Sequence, residues 1–178
     1  MTFDLQPMLE GERLLVRPIA KDDWAELYAA AADPKLWELH PASDRYKEDV
    51  FREFFDVALA SGSAFVVVDR ETGTIIGSSR YNDLDEEKSE IEIGWTFLRR
   101  DYWGGTANAE LKALMLQHAF RYVETVVFWV GETNWRSRRA MEKIGGVLRN
   151  GTVRRPGTSD DHVVYEIRRD AWGSSRKR

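Results

Sequence analysis

Residues 99–116, RRDYWGGTANAELKALML, place two glycines between a pair of arginines and a helix-forming segment. Gly104 and Gly105 permit a tight turn with φ > 0 and let a ligand approach the backbone closely. Such a turn directs the free N–H groups of a helix start at an anion, and Arg99 and Arg100 can add charge-assisted contacts to phosphate. The stretch has neither the P-loop pattern GxxxxGK[ST] nor the dinucleotide pattern GxGxxG. From these glycines alone, a phosphate cradle and a turn without a ligand are both open.

A second stretch, GETNWRSRRAMEKIGG (residues 131–146), also leads from a strand into a helix. Asn134 follows the β-branched run VVFWVG and is a typical N-cap residue, which by itself explains its position. An N-cap role does not explain why the helix that starts at Asn134 comes directly after a helix that itself starts at a glycine turn. Two neighbouring strand-to-helix openings can hold two ends of one long ligand, with a pyrophosphate at the first and an amide-rich arm at the second.

Hydrophobic periodicity and turn residues predict the elements that must position these stretches. Strands are expected over residues 13–19, 64–70, 74–82, 91–98, 126–131, 147–155 (reversing at Asn150-Gly151) and 162–169, and helices over 21–33 (ended by Pro34), 45–62, about 107–122 and 134–146. The order β-α-α-β-β-β-α-β-α-β-β has seven strands with singly inserted helices. It predicts an α/β (α+β) sandwich rather than a doubly wound sheet.

Composition narrows the class of protein. The 178 residues carry a formal charge of −4 and fit one domain over residues 1–178, with residues 1–8 and 173–178 expected to be loose. The acidic balance argues against general nucleic-acid binding, and no apolar run is long enough to span a bilayer. Cysteine is absent, and His40, His118 and His162 are too far apart for local metal-ligand spacing. We expect a cytoplasmic protein that binds no metal, nucleic acid or membrane.

The chain resembles the GNAT N-acetyltransferase superfamily, and most closely its ribosomal-protein N-acetyltransferase-like (RimJ/RimL) branch. The resemblance rests on LEGERLLVRPI, EIEIGWTFL, WGGTANAELKALML and TNWRSRRAMEKIGG, and it extends from about Leu9 to Arg169. It implies a single GNAT domain with a mixed, mostly antiparallel central sheet of about seven strands and helices on both faces. It also implies acetyl-CoA as the cosubstrate, a primary amine as the acceptor and, since related proteins often pair, a possible homodimer.

The resemblance also implies residues for the CoA site. The family turn runs Arg/Gln-x-x-Gly-x-Gly/Ala; here Gly104 matches the first glycine, Asp101 takes the Arg/Gln place and Thr106 the last place. Backbone N–H donors survive these changes because they need no particular side chain. The strand ending at Leu98 would separate from VVFWVG and leave a slot for the pantetheine arm. The implied cofactor-binding residues are Thr96, Phe97, Leu98, Arg99, Arg100, Trp103, Gly104, Gly105, Thr106, Ala107, Asn134, Arg136 and Ser137.

Family members transfer the acetyl group directly to the amine, so a base and an acid are needed rather than a nucleophile. Glu92 is the candidate base: by strand parity it should share a face with Gly94, Thr96 and Leu98. An ion-paired structural carboxylate is the alternative for Glu92, and Glu90 is the reserve base. Many members have a Tyr seven residues after the helix-opening Asn, but this chain has Met141 there. The resemblance to the branch instead implies Ser137, three residues after Asn134, as the candidate acid, with a small packing residue as the alternative.

The acceptor is open among protein N-termini, an aminoglycoside, a polyamine and an amino acid. The resemblance places the acceptor pocket around the early helices and their connection, where Trp37, His40, Tyr46 and Phe55 lie. A core or surface position without a ligand is the alternative for each of these four residues. His118 and His162 are not expected to be catalytic. The acidic residues Asp83, Asp85, Glu86 and Glu87 would favour a cationic acceptor if they faced this pocket. A non-catalytic acyl-CoA-binding or regulatory protein, and an unrelated nucleotide-binding domain, are the rival interpretations.

Overall fold

A computed structural model of the chain describes residues 2–156 and 160–175. The strands are β1 (Leu9–Glu10), β2 (Leu14–Pro18), β3 (Ala64–Asp69), β4 (Ile75–Asp85), β5 (Glu90–Leu98), β6 (Thr125–Gly131), β7 (Val147–Leu148), β8 (Val153–Arg154) and β9 (Asp161–Arg168). The α-helices are α1 (Trp24–Ala31), α2 (Pro34–Trp37), α3 (Glu48–Ser61), α4 (Ala107–Ala119), α5 (Trp135–Lys143) and α6 (Arg169–Ser175). Two 3-10 turns, Lys21–Asp23 and Arg100–Tyr102, precede α1 and α4.

One mixed sheet runs in the order β1-β2-β3-β4-β5-β6-β9-β7, with β8 also paired to β9. Every neighbouring pair is antiparallel except β5–β6, which is parallel. Side chains alternate along β3 between two cores: Phe65 and Val67 pack with α4, and Val66 and Val68 pack with α1 and α3. We call these sides of the sheet the α4 face and the α3 face; α5 lies on the α4 face through Met141.

The predicted class, a mostly antiparallel mixed sheet with helices on both faces, is confirmed. The sheet has nine strands rather than about seven, because β1 was not predicted and the segment 147–155 forms two short strands, β7 and β8. Pro34 starts α2 instead of only ending a helix, since its fixed φ suits a first helical turn.

Parts of both chain ends have described structure. Phe3 is buried against Tyr81 and Tyr122, so the N-terminal segment packs on the α4 face. Residues 173–175 belong to α6, whereas the basic end, 176–178, lies outside the described residues. None of the described helices is long and apolar enough to cross a membrane.

Candidate functional site

The site begins where the two parallel strands separate. β5 and β6 pair only at three positions, from Glu90↔Thr125 to Glu92↔Val127. Beyond these positions a cavity of about 270 Å³, the main cavity, opens through the sheet between the diverging strands. Its titratable lining residues are His40, Arg45, Glu92, Lys112, Arg155, Asp160 and His162. The expected separation of the strand ending at Leu98 from VVFWVG is therefore present.

A bulge in β5 decides which side chains face each side of this cavity. Trp95 has a φ of 50°, and the β4–β5 register shifts between Ser78 and Arg80. Thr96 Oγ1 consequently accepts a 2.7 Å hydrogen bond from Lys112 Nζ of α4, and Leu98 packs in the α4-face core. The predicted common face for Glu92, Thr96 and Leu98 is wrong, because the extra bulge residue reverses the alternation.

The glycine turn leaves a set of backbone donors free. Gly104 has a φ of 74°, which a side chain would strain, and Thr106 makes no side-chain cap. Within the described part of the chain, the six N–H groups from Gly104 to Ala109 have no acceptor. Six free donors at the start of a thirteen-residue helix form a site for an anion, where the helix dipole adds to the hydrogen bonds.

The two arginines before the turn contribute less charge than their sequence position suggests. Arg99 donates to both carboxylate oxygens of Asp101, at 3.1 and 2.7 Å. Arg100 is ion-paired with Asp33, the N-cap of α2, and this contact is the main cause that lowers the pKa of the Asp33 carboxyl. Both guanidinium charges are therefore already paired with a carboxylate, whereas the backbone donors of the turn are not engaged within the described residues.

Trp103 and Arg136 join the two helix starts that the sequence singled out. The Arg136 guanidinium lies 4.0 Å from the centre of the Trp103 ring and donates to the Leu36 carbonyl. The Trp103 indole N–H donates to the Leu98 carbonyl at 2.9 Å. Phe97, Leu98 and Ala107 are buried, so only their backbones can contact a ligand.

Asn134, two residues before Arg136, lines the main cavity. Its Oδ1 accepts from the Ser137 N–H at 3.2 Å, as the N-cap interpretation predicted, and its Nδ2 has no acceptor among the described residues. Ser137 and Met141, one helical turn apart on α5, line the same wall. Asn134 and Ser137 thus line one wall of the slot, and the Trp103–Arg136 contact connects the glycine turn to the start of the same helix.

Lys112 is a cavity residue that the sequence analysis missed. It is 3% exposed on α4, and its Nζ lies 5.3 Å from the Phe128 ring centre. Burial lowers the pKa of this ammonium to about 7. The available signal was weak: a lysine directly after the buried Leu111 in an otherwise apolar helix segment.

Glu92 is buried (3% exposed) on the α3 face and held by three donors. Oε2 accepts from Asn82 Nδ2 at 3.0 Å and from one Arg155 nitrogen at 3.2 Å, and Oε1 accepts from the other Arg155 nitrogen. A carboxylate has about four acceptor positions, so one position on Oε1 is left. A Cβ added at Gly94 would lie 3.0 Å from Oε1, and the glycine therefore keeps that side open.

The two histidines in the cavity lining, His40 and His162, each make a hydrogen bond to the backbone two residues away. His40 Nδ1 accepts from the Ala42 N–H at 2.9 Å, and burial together with the nearby Arg45 lowers its pKa to about 3. His162 Nδ1 lies 3.0 Å from the Asp160 carbonyl and donates to it, since a carbonyl oxygen can only accept. His162, which was not expected to be catalytic, lines the main cavity. His118 lies elsewhere, in the core beside Phe3.

The acidic residues 83–87 do not line the main cavity. They were expected to favour a cationic acceptor only if they faced the acceptor pocket. Asp83 and Asp85 line a second cavity of about 300 Å³, and Asp85 is paired with Lys88 at 2.7 Å. Glu90, the reserve base, is paired with Arg149 at this second cavity. Of the predicted acceptor residues, His40 lines the main cavity, while Trp37 and Phe55 are buried in the α3-face core.

Known proteins share both the sequence pattern and the fold. The N-acetyltransferase p20 of Bacillus licheniformis, itself uncharacterized, is 27% identical over 117 residues, which are 63% of this chain and 65%, slightly under two thirds, of that protein. A GCN5-related N-acetyltransferase from Brucella melitensis superposes with a TM-score of 0.85 at 21% identity, covering 97% of this chain and 83% of that one. Spermidine N-acetyltransferase from Vibrio cholerae, solved with CoA and spermine, gives 0.69 at 16% identity, covering 91% and 99%. The family profile described as acetyltransferase (GNAT) domain matches residues 13–147, and the chain belongs to that family.

Proposed function

We propose that the protein is an N-acetyltransferase that moves the acetyl group of acetyl-CoA directly to a primary amine. One observation carries the proposal: six backbone donors without an acceptor among the described residues precede α4, and the Trp103–Arg136 contact links their turn to the start of α5, where Asn134 and Ser137 line the main cavity. The family supplies the reaction type, and the Vibrio cholerae neighbour supplies a precedent for CoA on this fold. When bound, acetyl-CoA would provide the thioester carbonyl that the amine attacks.

The residues present fit CoA chemically. The N–H groups from Gly104 to Ala109 would hold the pyrophosphate, since they have no acceptor among the described residues and the α4 dipole favours an anion. In the part of the chain that the structure describes, the β6-facing edge of β5 beyond Glu92 has no ladder partner and can pair with the amides of the pantetheine arm. Asn134 Nδ2 would donate to the same arm.

Glu92 would receive the proton of the acceptor amine on its one unused lone-pair position. At pH 7 an α-amine of pKa near 7.7–8 costs only about 1–1.4 kcal/mol to neutralise, against roughly 4–5 kcal/mol for a lysine. Lys112 and Ser137 line the same cavity; with acetyl-CoA bound, Lys112 would supply positive charge to stabilise the leaving thiolate, and Ser137 would donate a hydrogen bond to its sulfur. Met141 cannot donate a proton, so we assign stabilisation of the leaving thiolate to Lys112 and Ser137.

The finer parts of the proposal rest on the sequence pattern. They are the ribosomal-protein N-acetyltransferase-like branch, a protein N-terminus or small amine as acceptor, a cytoplasmic location and a homodimer. A non-catalytic acyl-CoA-binding protein is the second candidate, favoured by Met141 and by the three donors that already hold Glu92. Binding of acetyl-CoA without turnover over a broad amine panel would select this second candidate.

Calorimetric titration with CoA tests the proposed pyrophosphate site. We expect micromolar binding by the wild type and a loss of about tenfold to a hundredfold in affinity for Gly104→Asp, because the new carboxylate repels phosphate. Gly104→Asn is the matched control: both side chains tolerate φ > 0, but Asn carries no charge. Equal losses in the two variants would assign the effect to backbone strain. Absence of binding by the wild type would remove the cofactor from the proposal.

Asn134→Ala tests the other end of the slot. We expect CoA affinity to fall about tenfold, since one hydrogen bond to the pantetheine arm is lost in a buried position. The same change removes the α5 N-cap and should lower the free energy of unfolding by about 1 kcal/mol. Asn134→Ser restores a cap without reaching the arm. If Asn134→Ser also restores CoA affinity, Asn134 only caps α5.

A further inference from the structure

The acceptor side of the main cavity, on the α3 face, is rich in arginine. Arg45, from the loop between α2 and α3, and Arg155 line the cavity, and Arg80 of β4 lies beside them. The carboxylates in the cavity lining are Glu92, which Arg155 holds, and Asp160. We call Arg45 and Arg80 the arginine pair. Among the described residues neither has a carboxylate within ion-pair distance, although the charge of Asp44 acts on Arg45 and that of Glu92 acts on Arg80 from farther away.

Arg80 is the more deeply buried member of the pair. Arg80 is 4% exposed, and its Nε has no hydrogen-bond acceptor among the described residues. The guanidinium lies 4.5 Å from the ring centre of Trp95, which itself lines the cavity. A buried cation with an unsatisfied donor is costly, and a native structure normally provides a partner for it.

Arg45 adds a second cation near Phe54, the ring that it shares with Arg80. Its guanidinium lies 4.9 Å from the centre of Phe54 and 5.2 Å from that of Trp37, and the Arg80 guanidinium lies 6.0 Å from Phe54. Burial lowers the pKa of Arg45 to about 10, and the charge of Arg80 contributes to the decrease. The aromatic rings compensate part of this cost, but two like charges that share one ring favour an anion between or beside them.

We propose that the arginine pair binds an anionic group, carboxylate or phosphate, of the acceptor, so that the substrate is an amine that carries a negative charge. The inference rests on the proposed acetyl transfer and narrows its substrate class. Glu92 would then face the amine end of the substrate and the arginine pair its anionic end. A polycation such as the spermine bound by the Vibrio cholerae neighbour would meet repulsion at this wall.

Matched acceptors test the proposal through rates. An amino acid is compared with its amide, and phosphoethanolamine with ethanolamine, so that each pair differs only in the anionic group; spermidine is added as a cation. We expect kcat/KM to be at least tenfold higher for the anionic member of one pair, and that pair identifies carboxylate or phosphate. Equal rates within both pairs, or a preference for spermidine, would overturn the proposal while leaving acetyl transfer intact.

Variants connect this preference to the arginine pair. Arg45→Gln and Arg80→Gln should raise KM for the anionic acceptor about tenfold to a hundredfold, leave KM for acetyl-CoA unchanged and remove the discrimination within the pair. Arg52→Gln is the control, because Arg52 also lies over an aromatic ring, 3.3 Å from the centre of Trp24, but neither Arg52 nor Trp24 lines the cavity, whereas Arg45 lines it and Arg80 lies against the cavity residue Trp95. An equal loss in Arg52→Gln, or unchanged discrimination in both pair variants, would contradict the assignment.

A binding measurement keeps the proposal testable if none of the panel amines is the true acceptor. Inorganic phosphate or acetate, added to the CoA-saturated wild type, should raise Tm, and the increase should be absent from Arg45→Gln. CoA titration of each variant verifies that it is folded. If CoA fails to bind the wild type, the proposed function is at fault; if CoA binds but neither anion stabilises the wild type more than Arg45→Gln, the arginine pair is not an anion site.

Discussion

Replacement of Glu92 by glutamine should lower kcat by about a hundredfold or more, because general-base catalysis contributes about 10²–10⁴-fold in enzymes. The glutamine side chain would retain the volume and an acceptor oxygen for Arg155, but it could not take a proton from the amine. The effect should be largest for acceptors of high pKa, since these gain most from a base. Steady-state kinetics with an α-amine and with a lysine-like amine measure this difference.

Stability must be separated from catalysis in this variant. Glu92 is buried and paired with Arg155, whose side chain is 25% exposed, so the loss of the ion pair should cost about 1–3 kcal/mol of unfolding free energy. Denaturant unfolding gives this value directly. Glu90→Gln is the matched control: it breaks the ion pair with Arg149 at the second cavity and should change kcat less than about threefold. An unchanged kcat in Glu92→Gln would identify Glu92 as a structural carboxylate, the alternative interpretation of its sequence position.

The sequence predicted those parts of the site that local chemistry determines. Consecutive glycines before an alanine- and leucine-rich segment require a turn and a helix start, and Gly104 does adopt a positive φ there. Asn134 after a β-branched run predicts an N-cap, and its Oδ1 does accept from the Ser137 N–H. These features depend on neighbours within a few residues, and they can therefore be read without the fold.

Features that depend on tertiary contacts were not predictable in the same way. The bulge at Trp95 leaves no mark in an alternating run such as EIEIGWTFL, yet it moves Thr96 to the face opposite Glu92. The cluster of Arg45, Arg80 and Arg155 combines three segments that are distant in sequence, and each arginine alone is typical of a surface. The acidic run gave the opposite error. Its charges suggested a site for a cationic acceptor, but Asp83 and Asp85 lie at the second cavity.

Lys112 determines how stability should depend on pH. Its pKa is about 7 in the folded protein against 10.5 for an ordinary lysine. Between these values the unfolded chain binds a proton that the folded protein does not, so the free energy of unfolding rises with pH from about 7 to about 10.5. Below pH 7 both states are protonated and this contribution is constant. Each unit of pKa corresponds to about 1.4 kcal/mol, which gives an upper bound of the order of 4–5 kcal/mol for the whole range.

Lys112→Met should therefore make the protein more stable at pH 7, by about 2–4 kcal/mol, while lowering kcat about tenfold to a hundredfold. The methionine fills the buried position on α4 without a charge, but it leaves the slot without its cation and Thr96 without its 2.7 Å donor. Denaturant unfolding from pH 6 to 10 tests the first effect, since the rise in the free energy of unfolding expected for the wild type should be absent from the variant.

Lys143→Met, at an exposed position on α5, is the control for a lysine lost from a helix surface. A less stable Lys112→Met with an unchanged kcat would mean that Lys112 supports the fold and takes no part in the reaction; a more stable variant with lower activity would mean that the fold tolerates a destabilising buried charge because the acetyl transfer uses it.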